Sequence, residues 1–156
     1  MKKYILILVF ASAALVSCVN EPHGNFDYAI FNHERQLWHE QGIENYIFRL
    51  NEESMANRHY ADMYIQDGVL TYIQLSYNDV PMPVEEVIFP SFLYGNTISD
   101  VYAKIETVAD SADWCDTVEI QYDSEWHYPK YFRYRRASGV RSIININKFS
   151  FALPTE

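Results

Sequence analysis

Asp67-Gly68 stands between two alternating runs, and that arrangement leaves the middle of the chain few options. From about His59 to Gln66, Ala61, Met63 and Ile65 share one face and Tyr60, Asp62 and Tyr64 the other. From Val69 to Tyr77, Val69, Thr71, Ile73, Leu75 and Tyr77 fall on a common face. A period of two marks a strand with one buried side, and Asp-Gly tolerates the positive φ that a two-residue hairpin turn demands. The two runs are therefore expected to pair antiparallel. A third run precedes them, in which Tyr46, Phe48 and Leu50 alternate with Ile47 and Arg49.

Helical spacing flanks these strands. Asp27 is placed to cap a helix running to about Gln41, with Ile30, Phe31, Leu37, Trp38 and Gln41 near one stripe and Gly42 as its stop. Thr97 and Asp100 have the spacing of a capping box, followed by a stripe of Ile98, Val101, Ile105, Val108 and Ala112. Three further strands are predicted: Thr117–Tyr122, Pro129–Arg136 and about Val140–Phe149, turned by residues 123–128 and by Ser138-Gly139. The expected fold is α+β: two αβββ units forming an antiparallel sheet of about six strands, with two helices on one face. Residues 78–96, with Pro81, Pro83 and Pro90 among apolar side chains, join the units as a long connection that either packs on the core or serves as a recognition loop.

The chain opens with Lys2 and Lys3, an apolar stretch from Tyr4 to Val16, and Leu15-Val16-Ser17-Cys18. That is a secretory signal ending in a lipobox, too short for a permanent membrane helix. It predicts a signal peptide over 1–17, lipidation at Cys18 with palmitate-type acyl chains, a lipidated tether over 18–26 and one α+β domain over 27–153. The expected location is the cell envelope, anchored to a bacterial membrane and facing the periplasm or the cell surface. Val19 lacks the inner-membrane retention signal that Asp would give there, which points to the outer membrane.

Without residues 1–17 the chain carries ten basic and 21 acidic side chains, a formal charge of −11 that argues against nucleic acid as a partner. The charge is uneven: residues 18–129 hold four basic groups, residues 130–156 hold six. With Cys18 lipidated, Cys115 has no partner for a disulfide and is expected as a buried, inert thiol at a helix end.

No motif carries catalysis. His23, His33, His39, His59 and His127 lack metal-ligand spacing, so no metal site and no cofactor are expected. Asp110, Asp113 and Asp116 read as a solvated helix end rather than a Ca²⁺ loop. Two features remain as candidate partner-binding groups. Arg133 and Arg135 share a strand face with Tyr131, either to meet an anionic partner or to be neutralised by acids such as Glu119 on neighbouring strands. Tyr60, Tyr64 and Tyr72 point away from the predicted core, either as a display of contact area or as ordinary cross-strand packing.

Trp38, Asn45-Tyr46-Ile47-Phe48, Asp67-Gly68, Tyr122-Asp123 and Tyr128-Pro129 resemble the pattern of a group of small bacterial lipoproteins catalogued as a domain of unknown function, over about residues 30–150. That pattern usually has Gly before Tyr-Pro; His127 stands there in this chain. The resemblance implies no activity and no site residues. The layout is also similar to β-lactamase inhibitory proteins and to small outer-membrane assembly lipoproteins, a likeness of fold only.

These readings lead to a membrane-anchored, noncatalytic binding module for another envelope protein, inhibitor-like in one version. Two alternatives stay open. One is a ligand-binding or hydrolytic envelope enzyme whose site gathers His127, Glu125 and Asp123. The other is a structural link between membrane and cell wall.

Overall fold

A computed structural model describes residues 26–54, 58–75, 82–83, 95–113, 115–139 and 141–151. The elements are α1 (Tyr28–Glu40), β1 (Tyr46–Ser54), β2 (Arg58–Gln66), β3 (Val69–Leu75), β4 (Met82–Pro83), α2 (Ile98–Asp110), β5 (Thr117–Tyr122), β6 (Pro129–Arg135) and β7 (Arg141–Ser150). The strands form one antiparallel sheet in the order β4-β3-β2-β1-β7-β6-β5, with both helices on one face. The α+β expectation holds, and the helix-strand order repeats as expected. The halves nevertheless differ in strand order: outward from the central seam, one runs β1, β2, β3 and the other β7, β6, β5.

Helix α1 forms because its first turn is closed from outside. The Asp27 carboxylate accepts from the backbone N–H groups of Ala29 and Ile30, both at 3.0 Å. Phe26, just before this cap, packs its ring 5.1 Å from that of Phe31 in the next turn, a hydrophobic staple. Phe26 is thus buried in the core, so packed structure begins inside the segment expected as a tether. Phe31 and Trp38, seven residues apart, form the buried stripe, while Ile30 faces solvent. Gly42 stops the helix at φ +59°, donating to the His39 carbonyl.

Helix α2 carries the expected capping box between Thr97 and Asp100. Gly95 must lack a side chain, because a Cβ there would sit 2.2 Å from that of Asp100. The buried face is Ile98, Val101, Tyr102, Ile105 and Ala109; Val108 is only partly covered, and Tyr102 takes a place an apolar-letter stripe omits. The two helices meet through Phe31 and Tyr102, centroids 5.5 Å apart. They cover Tyr46, Phe48 and Leu50 of β1, Ala61, Met63 and Ile65 of β2, Phe132 and Tyr134 of β6 and Ile144 and Ile146 of β7.

Strand β3 departs from strict alternation. Tyr64 pairs with Tyr72 but Ile65 pairs with Leu70, so Thr71 is an extra residue in a bulge, its hydroxyl donating to the Tyr64 carbonyl. The bulge flips the start of the strand: Leu70 is buried and Val69 exposed, the reverse of the predicted phase. Of the 78–96 connection, Met82–Pro83 pairs with β3 as a short edge strand and residues 95–96 lead into α2; its remainder lies outside the described residues, as does Tyr77.

Cys115, expected as buried, is exposed in the turn after α2. The aspartates nearby are not simply a solvated end. Asp116 is buried, and its carboxylate accepts from the Tyr134 hydroxyl at 2.7 Å and from the Asp113 and Ala137 N–H groups. These bonds hold the strand β5 entrance against the β6–β7 turn.

Candidate functional site

With the helices on one side, the opposite face of the sheet is left without a covering layer among the described residues. Register orders its side chains into rows that run across the strands. Tyr72, Tyr64 and Ile47 form the first row; Gln74, Asp62, Arg49 and Lys148 the second. Tyr60, Asn51, Asn145, Tyr131 and Gln121 form the third; Glu53, Ile143, Arg133 and Glu119 the fourth.

The second row is an internal charge cluster. Asp62, with 4% of its side chain exposed, accepts from Arg49 Nε at 2.6 Å and Arg49 Nη2 at 2.9 Å, and from Lys148 Nζ at 3.2 Å. Burial alone would raise the Asp62 carboxyl, but hydrogen bonds from Arg49 and Lys148 outweigh it and hold the group below its ordinary value. The Arg49 guanidinium also lies 5.9 Å from the Tyr60 ring centroid.

The expected tyrosine display is only partly exposed. Tyr60 and Tyr72 are 42% and 37% accessible, but Tyr64 is buried and donates to Gln74 Oε1 at 3.1 Å. Burial accordingly raises its phenol above the usual value. Arg133 pairs with Glu119, its direct cross-strand neighbour. Arg135, beside Thr117 and Arg141, is exposed and makes no ion pair among the described residues. Tyrosines and arginines share the face without being gathered: Tyr64 and Arg133 are three strand spacings and six residues apart, about 25 Å. Cys18 lies outside the described residues.

A groove of about 400 Å³ opens on this face over β5, β6 and β7, lined by Glu119, Gln121, Lys130, Tyr131, Asn145, Ile146 and Asn147. Two bulges shape it. Lys130 is the extra residue of β6 against β5, and Asn147 that of β7 against β1. The sequence shows none of this, because a bulge depends on which strands become neighbours.

A second, shallower groove of about 380 Å³ lies between the end of α1 and the β5–β6 turn, lined by Leu37, Glu40, Gln41, Glu125, Trp126 and His127. His127 Nδ1 is 2.8 Å from Glu34 Oε2, and Gln41 Nε2 donates to the Trp126 carbonyl. The His127 backbone sits at φ +59°, the left-handed region that suits the Gly of the resembled pattern. Its carbonyl accepts from the Tyr102 hydroxyl. Asp123 does not join His127 and Glu125 as a third site group. Its carboxylate accepts from the N–H groups of Glu125 and Trp126 and so builds the turn.

Among the described residues no group of His, Cys, Asp and Glu is arranged to hold a metal ion, and no helix is long and apolar enough to cross a membrane. The residues that carry the sequence resemblance also serve the fold. Trp38 meets Tyr46 edge-on, Asn45 accepts from the Asp67 N–H, and the Tyr46 hydroxyl accepts from Ile98 N at the start of α2.

A family model described as a family of unknown function, DUF6174, matches residues 31–135, and the chain belongs to that family. No curated protein and no solved structure matches it.

Proposed function

We propose that this chain is a lipid-anchored, noncatalytic binding module of a bacterial envelope that holds another envelope protein against the uncovered sheet face. The carrying observation is that Tyr60, Tyr72 and Arg135 stand exposed on a face over which no described element packs. Tyrosine and arginine supply much of the energy at protein interfaces, the first as a large rigid surface and the second as a forked donor. A partner reaching from Tyr72 to Arg135 crosses four strand spacings and eight residues, about 33 Å, the breadth of an ordinary interface of about 800 Å² per side.

Burial of Tyr64 and pairing of Arg133 make both poor probes, so the test uses exposed residues. Crosslinking in native envelopes should capture a defined protein with the unmodified chain and lose it with Tyr72→Ala plus Arg135→Ala. Equal capture by both forms would remove the sheet face from the reading. The anchor is tested separately: Cys18→Ala should abolish acyl labelling and leave the precursor uncleaved, and unchanged labelling would end the lipoprotein assignment.

The His127–Glu34 pair supports a second reading, a small-ligand or hydrolytic site in the shallower groove. It predicts a ligand or substrate whose turnover or binding is lost in His127→Gly, a substitution suited to that backbone.

A further inference from the structure

We propose that the groove over β5, β6 and β7 is a carbohydrate-binding site that takes a hydroxyl-rich glycan chain. This inference does not rest on the protein partner proposed above; Tyr72 and Arg135 lie outside the groove.

The first argument is the contrast between neighbouring rows. Charges in the second and fourth rows are engaged with one another within the sheet, through Arg49–Asp62–Lys148 and Arg133–Glu119. The row between them is uncharged. The side-chain amides of Asn145, Asn147 and Gln121 make no hydrogen bond to another described residue. Each amide offers a carbonyl acceptor and an NH₂ donor side by side, the pairing that adjacent sugar hydroxyls satisfy, since every hydroxyl both donates and accepts. The Tyr131 ring supplies a flat apolar surface for the C–H face of a pyranose.

The second argument is the backbone. Both bulged residues, Lys130 and Asn147, lie on adjoining strands and both line the groove. Bulges bend a strand and re-aim a side chain, and they concentrate beside functional sites. Here they put two more polar groups around the same cavity.

The third argument is spacing. Tyr60, Asn51, Asn145, Tyr131 and Gln121 occupy five consecutive strands, so polar and aromatic side chains recur every 4.8 Å or so over about 19 Å. A linear glycan repeats on the same scale and would meet one polar or aromatic side chain of this row at each sugar. An anionic polymer fits less well, because the groove is lined by one cation, Lys130, and by the Glu119 carboxylate. An apolar ligand would strand the amides without partners.

The full chain in detergent should be titrated with an N-acetylglucosamine tetramer and with a maltose tetramer, and retention measured on purified peptidoglycan and on extracted surface polysaccharide. Binding to at least one of these is expected. The Asn145→Ala, Gln121→Ala double variant should weaken it tenfold or more, Tyr131→Ala should do the same while Tyr131→Phe retains most of it, and Arg135→Ala should leave it unchanged. Retention on peptidoglycan or on surface polysaccharide identifies the source. No binding to any of the four by folded protein overturns the proposal, as does equal binding by the double variant with its circular dichroism unchanged.

Discussion

The two faces of the sheet use the same register but hold the fold by different physics. On the helix-covered face the central rows are apolar: Phe48 neighbours Met63 on one strand and Phe149 on the other, and Leu50 neighbours Ala61 and Ile146, beneath the two helices. On the open face, rows alternate between charges that satisfy one another and neutral polar groups. The lesson is that the first face is paid for by area and the second by pairing, so damage to each should differ in size and in its dependence on pH.

The largest effect is expected from the covered face. Phe48 is fully buried at the sheet centre, and Phe48→Ala should cost about 3–5 kcal/mol through lost transfer energy and a cavity the neighbours only partly fill. Against a total stability of about 5–15 kcal/mol, that brings the domain close to unfolding, visible as a large drop in denaturant midpoint. A shift no larger than that of an open-face substitution would break the comparison at its root.

Asp62 should come next. Asp62→Asn keeps the shape but removes the charge that both Arg49 and Lys148 contact. Those cations are 39% and 48% exposed, so water recovers part of the loss, and about 1–2 kcal/mol is expected. The pH dependence follows from the depressed carboxyl. A folded pKa below the unfolded value gives stability that is complete above the unfolded pKa and lost as pH falls through the folded one. The difference between the two proteins should therefore be constant near neutrality and close below about pH 4. A gap that persists unchanged in acid would show that packing, rather than charge, holds that row.

The same contrast explains what was legible in the sequence. The covered face announces itself locally: alternation placed Tyr46, Phe48, Leu50, Ala61, Met63 and Ile65 correctly, and Asp27, Thr97 and Gly42 marked helix ends through chemistry confined to a few residues. The open face is written in contacts between distant segments. Asp62 meets Lys148 across 86 residues, and Asn145 falls beside both Asn51 and Tyr131, none of which periodicity reveals. Bulges at Thr71, Lys130 and Asn147 break the period itself, which is why Val69 was assigned inward in place of Leu70 and why the groove was missed. His127 is a mixed case. Its place before Tyr-Pro was visible as a departure from the resembled pattern, but its pairing with Glu34, 93 residues away, was not.

The smallest effect should come from the other ion pair on the open face. Glu119 and Arg133 are direct cross-strand neighbours, as Asp62 and Arg49 are, yet their side chains remain 40% and 42% exposed. Water and salt screen such a pair, and holding two long side chains together costs rotamer entropy. In a double-mutant cycle on Glu119→Gln and Arg133→Gln, the coupling should lie within error of zero, and 1 M NaCl should not alter it. The Arg49–Asp62 cycle, run beside it, should give a clear coupling, because one partner is buried. Equal couplings would mean that cross-strand adjacency alone sets the strength of a charge pair on this sheet. Unequal ones would make burial the deciding variable, and would leave Arg133 and Glu119 able to exchange each other for a ligand at little cost to the fold.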